Sequence, residues 1–224
     1  MPSLDRPEIV DATGNLVEIT EAGFGVDLEI AYATADNFTG APVYNAPRCL
    51  LHKAAARLLR RAIEIAAAQG LTLRIFDAYR PPEAQWAFWA HTPNGDFLSP
   101  PWLGSPHSRG VAVDLTLVAG DGRELEMGTS FDAFTELSHH GNTEVSPNAQ
   151  RNRHLLLGIM TSAGWDFYLE EWWHYQLFQP RRHPLISDGL LGAPMTARGA
   201  AQRMEQASSK SSLGLRSWSA AGSP

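Results

Sequence analysis

The 224-residue chain holds a single cysteine, Cys49. One thiol excludes an intramolecular disulfide framework and removes thiolate zinc sites, which need two cysteines or more. It fits a reducing compartment. No run approaches the ~18 apolar residues of a membrane span. The first residues, Met1-Pro2-Ser3-Leu4-Asp5-Arg6-Pro7-Glu8, lack the basic start and apolar stretch of a secretory signal. The expectation is a cytoplasmic protein with no membrane partner. Positive charge is not in excess either: 18 Lys and Arg against 24 Asp and Glu give a net charge of -6. Such a chain has no long-range attraction for phosphate backbones, so nucleic acid is not expected as a partner. Internal repeats are absent, and no Gly-x-Ser-x-Gly elbow surrounds any serine, which speaks against Ser-His-Asp nucleophilic catalysis.

What is present suits a globular protein, 44% hydrophobic and 19% charged, long enough for one domain with a sizeable core or one domain plus a tail. Residues 16–19 and 26–32 read as strand-like. Over 50–69 the apolar residues Leu51, Ala55, Leu58, Leu59, Ile63 and Ala66 recur near helical spacing, with basic residues between them and Gly70 as a stop. Leu71, Leu73 and Ile75 alternate onto one face of a strand over 71–79, and Pro81-Pro82 opens a short helix through Phe88. A second strand covers 111–118 and turns back through Ala119-Gly120-Asp121-Gly122 into 123–127. Ser146-Pro147 reads as cap and first turn of a helix that runs to Ala163 and stops at Gly164. A last strand covers 168–178. The fold class is α+β, a mainly antiparallel sheet flanked by helices in one domain over 1–190. Beyond Leu190 apolar periodicity fades, and 191–224 reads as a flexible C-terminal tail.

Two short motifs carry the chemistry. One is Ser105-Pro106-His107-Ser108-Arg109-Gly110-Val111-Ala112-Val113-Asp114; the other, far downstream, is Glu171-Trp172-Trp173-His174. Together they supply two imidazoles, one carboxylate that can bind a metal and one carboxylate left over. A hydrolytic zinc site needs that set: three protein ligands leave the fourth position open for water, and an unliganded Glu can take the water's proton. Asp114 lies between Val113 and Leu115, where an ionised carboxylate is costly unless paired or metal-bound. His174 stands among Trp172, Trp173 and Tyr175, a bulky apolar wall.

Strand parity sets a constraint on this reading. His107 and Asp114 are seven residues apart, and in one straight strand odd spacing sends side chains to opposite faces. The segment must bend, and Gly110 is the natural place. Glu171 and His174, three apart, meet the same obstacle: either a bulge or a turn intervenes, or one of them is not at the site.

With these motifs in place the sequence resembles the VanX-type D-alanyl-D-alanine dipeptidases, within the wider group of zinc D-Ala-D-Ala dipeptidases and carboxypeptidases. The matching stretches are Ala31-Tyr32-Ala33-Thr34-Ala35-Asp36-Asn37-Phe38-Thr39-Gly40, Phe76-Asp77-Ala78-Tyr79-Arg80-Pro81, the His107 and Asp114 motif extended to Leu117, Met127-Gly128-Thr129-Ser130-Phe131-Asp132, and Glu171-Trp172-Trp173-His174-Tyr175. They span roughly residues 26–178 in the family's order. The group's signature, Ser-x-His-x-x-Gly-x-Ala-x-Asp followed by Glu-x-x-His, is complete.

The resemblance implies one zinc ion bound by His107, Asp114 and His174, with Glu171 as catalytic base and Arg80 stabilising the developing oxyanion. Asp77 either orients Arg80 or forms an ordinary ion pair, and is grouped with the substrate-binding residues. A free dipeptide carries an ammonium and a carboxylate at fixed separation. Asp132 aligns with an acidic position near that ammonium, Ser105 with a serine able to reach the carboxylate, and Tyr32 with the cleft wall. The expected substrate is D-Ala-D-Ala or a related free D,D-dipeptide. The alternatives are a D,D- or L,D-carboxypeptidase acting on peptidoglycan stem peptides and a non-catalytic zinc-binding module of the same fold. His139 and His140 are adjacent in sequence and are read as structural.

Overall fold

The computed structural model describes residues 13–95 and 98–200. In chain order the elements are β1 (Leu16–Ile19), α1 (Glu21–Phe24), β2 (Asp27–Leu28), β3 (Cys49–His52), α2 (Lys53–Ala67), β4 (Leu71–Asp77), α3 (Pro82–His91), β5 (Ala112–Ala119), α4 (Pro147–Ala163), β6 (Asp166–Phe167) and β7 (His174–Gln176). Five strands form one sheet in the order β2-β4-β5-β7-β6; β2 joins β4 in parallel and every other pairing is antiparallel. β1 and β3 form a separate antiparallel ribbon. The class is the α+β arrangement expected from the sequence.

β5 occupies the centre, and its first seven residues are all buried. That is why its sequence, AVDLTLVA, reads as a nearly continuous apolar run rather than an alternating one. Val113, Leu115 and Leu117 join the core with Leu59 and Ala62 of α2 and Leu156 and Met160 of α4. By strand alternation Asp114 and Thr116 point to the opposite side. α2 and α4 therefore cover one face, and the other is left to α3 and to loops.

Several expected boundaries move, each for a local reason. The helix over 50–69 begins at Lys53, because Leu50 and Leu51 pair with β1 and the His52 ring accepts from the Ala54 N–H at 3.2 Å as its N-cap. The strand over 26–32 shortens to β2, and 31–33 winds into a 3-10 turn that buries Tyr32. The return from β5 does turn at Gly122, yet only Val118 and Glu124 form a bridge there. The strand over 168–178 shortens to β7; β6 lies just before that run, and residues 168–173 form the turn between the two strands. α4 matches the expectation at both ends: Ser146 Oγ accepts from the Ala149 N–H, and Gly164 closes it with φ 103°. Beyond Leu190, Met195 and Ala200 are buried, and the Asp188 carboxylate accepts from the backbone N–H groups of Met195 and Thr196. The rest of the expected tail, 201–224, and the N-terminal segment 1–12 lie outside the described residues. Among the described residues no helix is long and apolar enough to cross a membrane.

Gly110 is the bend required by the His107 and Asp114 spacing. It has φ 67°, and a Cβ there would lie 2.8 Å from a Leu16 methyl and 3.2 Å from the His52 nitrogen. Gly110→Ala combines left-handed backbone strain with a clash against the β1–β3 ribbon. It is expected to cost roughly 1–3 kcal/mol, read as a lower urea midpoint with an unchanged slope.

Candidate active site and metal centre

Two turns and one bulge bring the predicted residues together. His107 opens a 3-10 turn, His107–Arg109, that ends at Gly110 and delivers the chain into β5. Within the sheet Asp114 pairs with His174, and paired residues of antiparallel strands share a face. Glu171 lies outside β7, in the turn that follows β6, where its N–H reaches the Tyr168 carbonyl and its own carbonyl accepts from the His174 N–H. That turn resolves the parity of Glu171 and His174: the two never share a strand.

His107 Nε2, His174 Nδ1 and Asp114 Oδ1 form a buried triangle with sides of 3.0, 3.0 and 3.3 Å. Four ligands at zinc-like bond lengths around one centre stand about 3.3 Å apart, so the triangle has the size of one tetrahedral face. The protons agree. His107 Nδ1 lies 2.6 Å from the Ala78 carbonyl, which can only accept, so that nitrogen carries the N–H and Nε2 is bare. His174 Nε2 lies 3.1 Å from Gln176 Oε1, so it donates there and leaves Nδ1 bare. Two imidazole lone pairs and an anionic oxygen thus point at one another. Positive charge, a proton or a metal ion, relieves that arrangement. Burial by itself lowers the His174 pKa, yet Asp114 beside it raises the value above normal, the same demand for positive charge. The residues fit a divalent metal ion.

Arg80 and Asp77 depend on a β-bulge. Ile75 pairs with Leu115 and Asp77 with Asp114, so one residue is inserted between them. Simple alternation would leave Asp77 on the core face with Leu73 and Ile75; the bulge turns it toward the Asp114 side. Asp77 Oδ2 then accepts from Arg80 Nε at 2.8 Å, and Tyr44 donates to Asp77 Oδ1 at 2.8 Å. Arg80 further donates to Gln85 Oε1 at 3.2 Å and to Asp114 Oδ2 at 3.4 Å. Asp77 is 1% exposed, does not line the cavity, and stands behind Arg80, fixing the guanidinium.

The cavity in front of the triangle measures about 430 Å³ and is lined by Tyr32, Arg80, Ser105, Asp132, Glu171 and Trp173, among others. Glu171 Oε2 lies 3.9 Å from His174 Nδ1 and takes no part in the triangle; burial pushes its pKa up to about 7, with His174 acting against the rise. Asp132 adopts φ 59°, unusual for a residue with a Cβ, and accepts from the Tyr32 hydroxyl at 3.0 Å. Burial raises its pKa well above the ordinary carboxylate value, against the opposing charge of Arg80. Phe131 beside it stacks on Phe76 at 4.9 Å and meets Trp173 edge-on at 5.4 Å. Ser105 Oγ accepts from the His107 N–H at 3.2 Å, so this serine also shapes the turn. His139 and His140 stay outside the centre; the His140 ring meets Phe167 and Tyr175 edge-on.

Gln176, Gln85 and Tyr44 were not anticipated. Gln176 had a signal: two residues after His174 in a strand, it shares that histidine's face. Gln85 and Tyr44 had none, because only the fold brings them to Arg80 and Asp77.

A buried His/Asp/His face with a free carboxylate and a fixed guanidinium beside it is the equipment of a metal-dependent peptidase. Known proteins agree. The peptidase family described as D-Ala-D-Ala dipeptidase matches residues 12–188. A D-alanyl-D-alanine dipeptidase of Escherichia coli K12 is 44% identical over 176 residues, 79% of this chain and 91% of that protein. Proteins of the same name from Enterococcus faecium and Streptomyces coelicolor are 38% and 36% identical, over 71% and 77% of this chain and 89% and 95% of their own lengths. The chain belongs to this D-Ala-D-Ala dipeptidase family of metallopeptidases.

The donor triangle makes metal content the direct check. Protein loaded to one divalent ion per chain is expected to lose it on His174→Ala. Gln176→Leu, which removes the acceptor that keeps Nδ1 bare, is expected to weaken affinity about 10- to 100-fold, read by competition with a chromophoric chelator.

Proposed function

We propose that this chain hydrolyses D-Ala-D-Ala or closely related free D,D-dipeptides at one zinc ion held by His107, Asp114 and His174. The observation that carries the reading is the triangle of three bare donor atoms with the unliganded Glu171 carboxylate 3.9 Å from one of them. When bound, zinc lowers the pKa of a water ligand from ~15.7 to about 7 and polarises the scissile carbonyl.

The chain's own residues divide the remaining work. Glu171, desolvated at the cavity wall, accepts the proton of the attacking water and returns it to the nitrogen of the leaving alanine. Arg80 stays charged at any working pH, and its three polar partners hold the guanidinium where negative charge builds on the former carbonyl oxygen. Because that orientation exists before substrate arrives, little reorganisation is needed in the transition state. Asp77 is a positioning residue for Arg80. Asp132, steadied by Tyr32, takes the substrate ammonium; that cation supplies the positive charge its buried carboxyl lacks. Ser105 stands at the turn that carries His107, with its hydroxyl proton free for the substrate. A small diffusible dipeptide as substrate accords with a cytoplasmic site of action.

The first test is alanine release from D-Ala-D-Ala by metal-analysed protein, with L-Ala-L-Ala beside it. Release from the D,D isomer only, stopped by a chelator and restored by zinc, is the expected result. Zinc-replete protein that cleaves only peptidoglycan stem peptides would replace the dipeptidase reading with the carboxypeptidase one. Glu171→Ala is expected to keep its metal while kcat falls by several orders of magnitude. Arg80→Ala is expected to lose about 10²- to 10³-fold in kcat, the range for a preorganised oxyanion donor.

A further inference from the structure

Two arginines besides Arg80, Arg109 and Arg181, line the cavity. β5 and β7 pair Asp114 with His174 and Ala112 with Gln176, and the Leu177 N–H bonds the Val111 carbonyl. Arg109, just before Val111, and Arg181, in the turn Pro180–Arg182 beyond Gln176, lie off this end of the register. In the other direction the Leu115 N–H bonds the Trp173 carbonyl, and Trp173 packs on Phe131, next to Asp132. Both arginines line the same cavity as Asp132, and the register puts them off the end of the strand pair opposite Trp173, which makes that end the basic side.

The basic side lacks a counter-ion. Neither arginine is ion-paired to a carboxylate among the described residues. Arg109 is 5% exposed and donates through Nη1 to the His183 carbonyl, which ties the Pro180–Arg182 turn to the start of β5. Arg181 itself is exposed at the rim, and its side chain makes no hydrogen bond among the described residues. Two guanidinium groups held near each other without an anion repel, and a planar carboxylate bridging them removes the repulsion with paired N–H bonds.

We infer that Arg181, on a turn anchored by Arg109, binds the terminal carboxylate of the residue that leaves and so selects substrates with a free C-terminal acid. This rests on the dipeptide reading above: ammonium at Asp132, scissile carbonyl at the triangle, carboxylate at Arg181. Arg181 follows both signature motifs, and nothing in either motif marks it.

The test is calorimetric titration of zinc-loaded Glu171→Ala protein, which holds its ligand uncleaved, with D-Ala-D-Ala and with the C-terminal amide of the same dipeptide. Adding Arg181→Glu is expected to weaken binding of the free acid about tenfold or more and to leave the amide within twofold. Arg181→Lys is expected to fall between. In otherwise unaltered enzyme Arg181→Glu should raise KM with kcat nearly constant. Because the side chain is exposed, the variant should melt like its parent. Equal weakening of both ligands, or no change in either, overturns the inference while the dipeptidase reading stands. If the unsubstituted enzyme does not cleave D-Ala-D-Ala and the Glu171→Ala protein does not bind it, the dipeptidase reading fails and this inference fails with it.

Discussion

Asp114 is an anion in the centre of the sheet, 2% exposed, on a strand whose other buried residues are apolar or a lone threonine. A carboxylate so placed costs several kcal/mol unless positive charge or hydrogen-bond donors surround it. Much of the architecture around β5 answers that demand. His107 and His174 converge on one oxygen, and Arg80 reaches the other at 3.4 Å. Each partner is fixed from behind: His107 by the Ala78 carbonyl, His174 by Gln176, Arg80 by Asp77 and Gln85. The bare nitrogens that result leave room for a cation and little else.

The same constraint explains why irregular backbone gathers at this place. A straight strand cannot present His107 and Asp114 together, nor Glu171 and His174, because successive side chains alternate. The left-handed Gly110, the bulge before Asp77 and the turn between β6 and β7 each break that alternation once, and each break delivers one polar side chain to the same side of β5. Regular elements supply rigidity, with α2 and α4 packed on each other and against the sheet. The irregular segments supply aim.

Much of this was legible in the chain. The complete signature named the triangle and its neighbouring carboxylate, and the helical spacing after Lys53 and the Ser146 to Gly164 punctuation located α2 and α4 closely. Short segments were less readable. Leu50 and Leu51 suit a helix as well as a strand, and only the partner β1, over thirty residues upstream, decides for the strand. The run over 168–178 has strand-like composition throughout, yet its first part, 168–173, is a turn, and that turn is what frees Glu171 from β7. Asp77, three residues before Arg80, could orient that arginine or form an ordinary ion pair on spacing alone; the bulge decides which side of the strand it takes and sets it beneath the guanidinium.

The sequence by itself determined which chemistry the protein can carry, since donor type, donor number and their order along the chain are local properties. It also determined the long helices and the bend at Gly110, which follow from spacing and from the one residue type that tolerates the left-handed region. Tertiary structure alone decided that Gln176 and the Ala78 carbonyl set the two histidine tautomers. It alone decided that Tyr44 and Gln85 complete the support of Arg80, and that Arg109 and Arg181 line one cavity with Asp132. Most of these are relations between distant segments, created by strand register, and register depends on how the whole sheet packs rather than on any one stretch of residues.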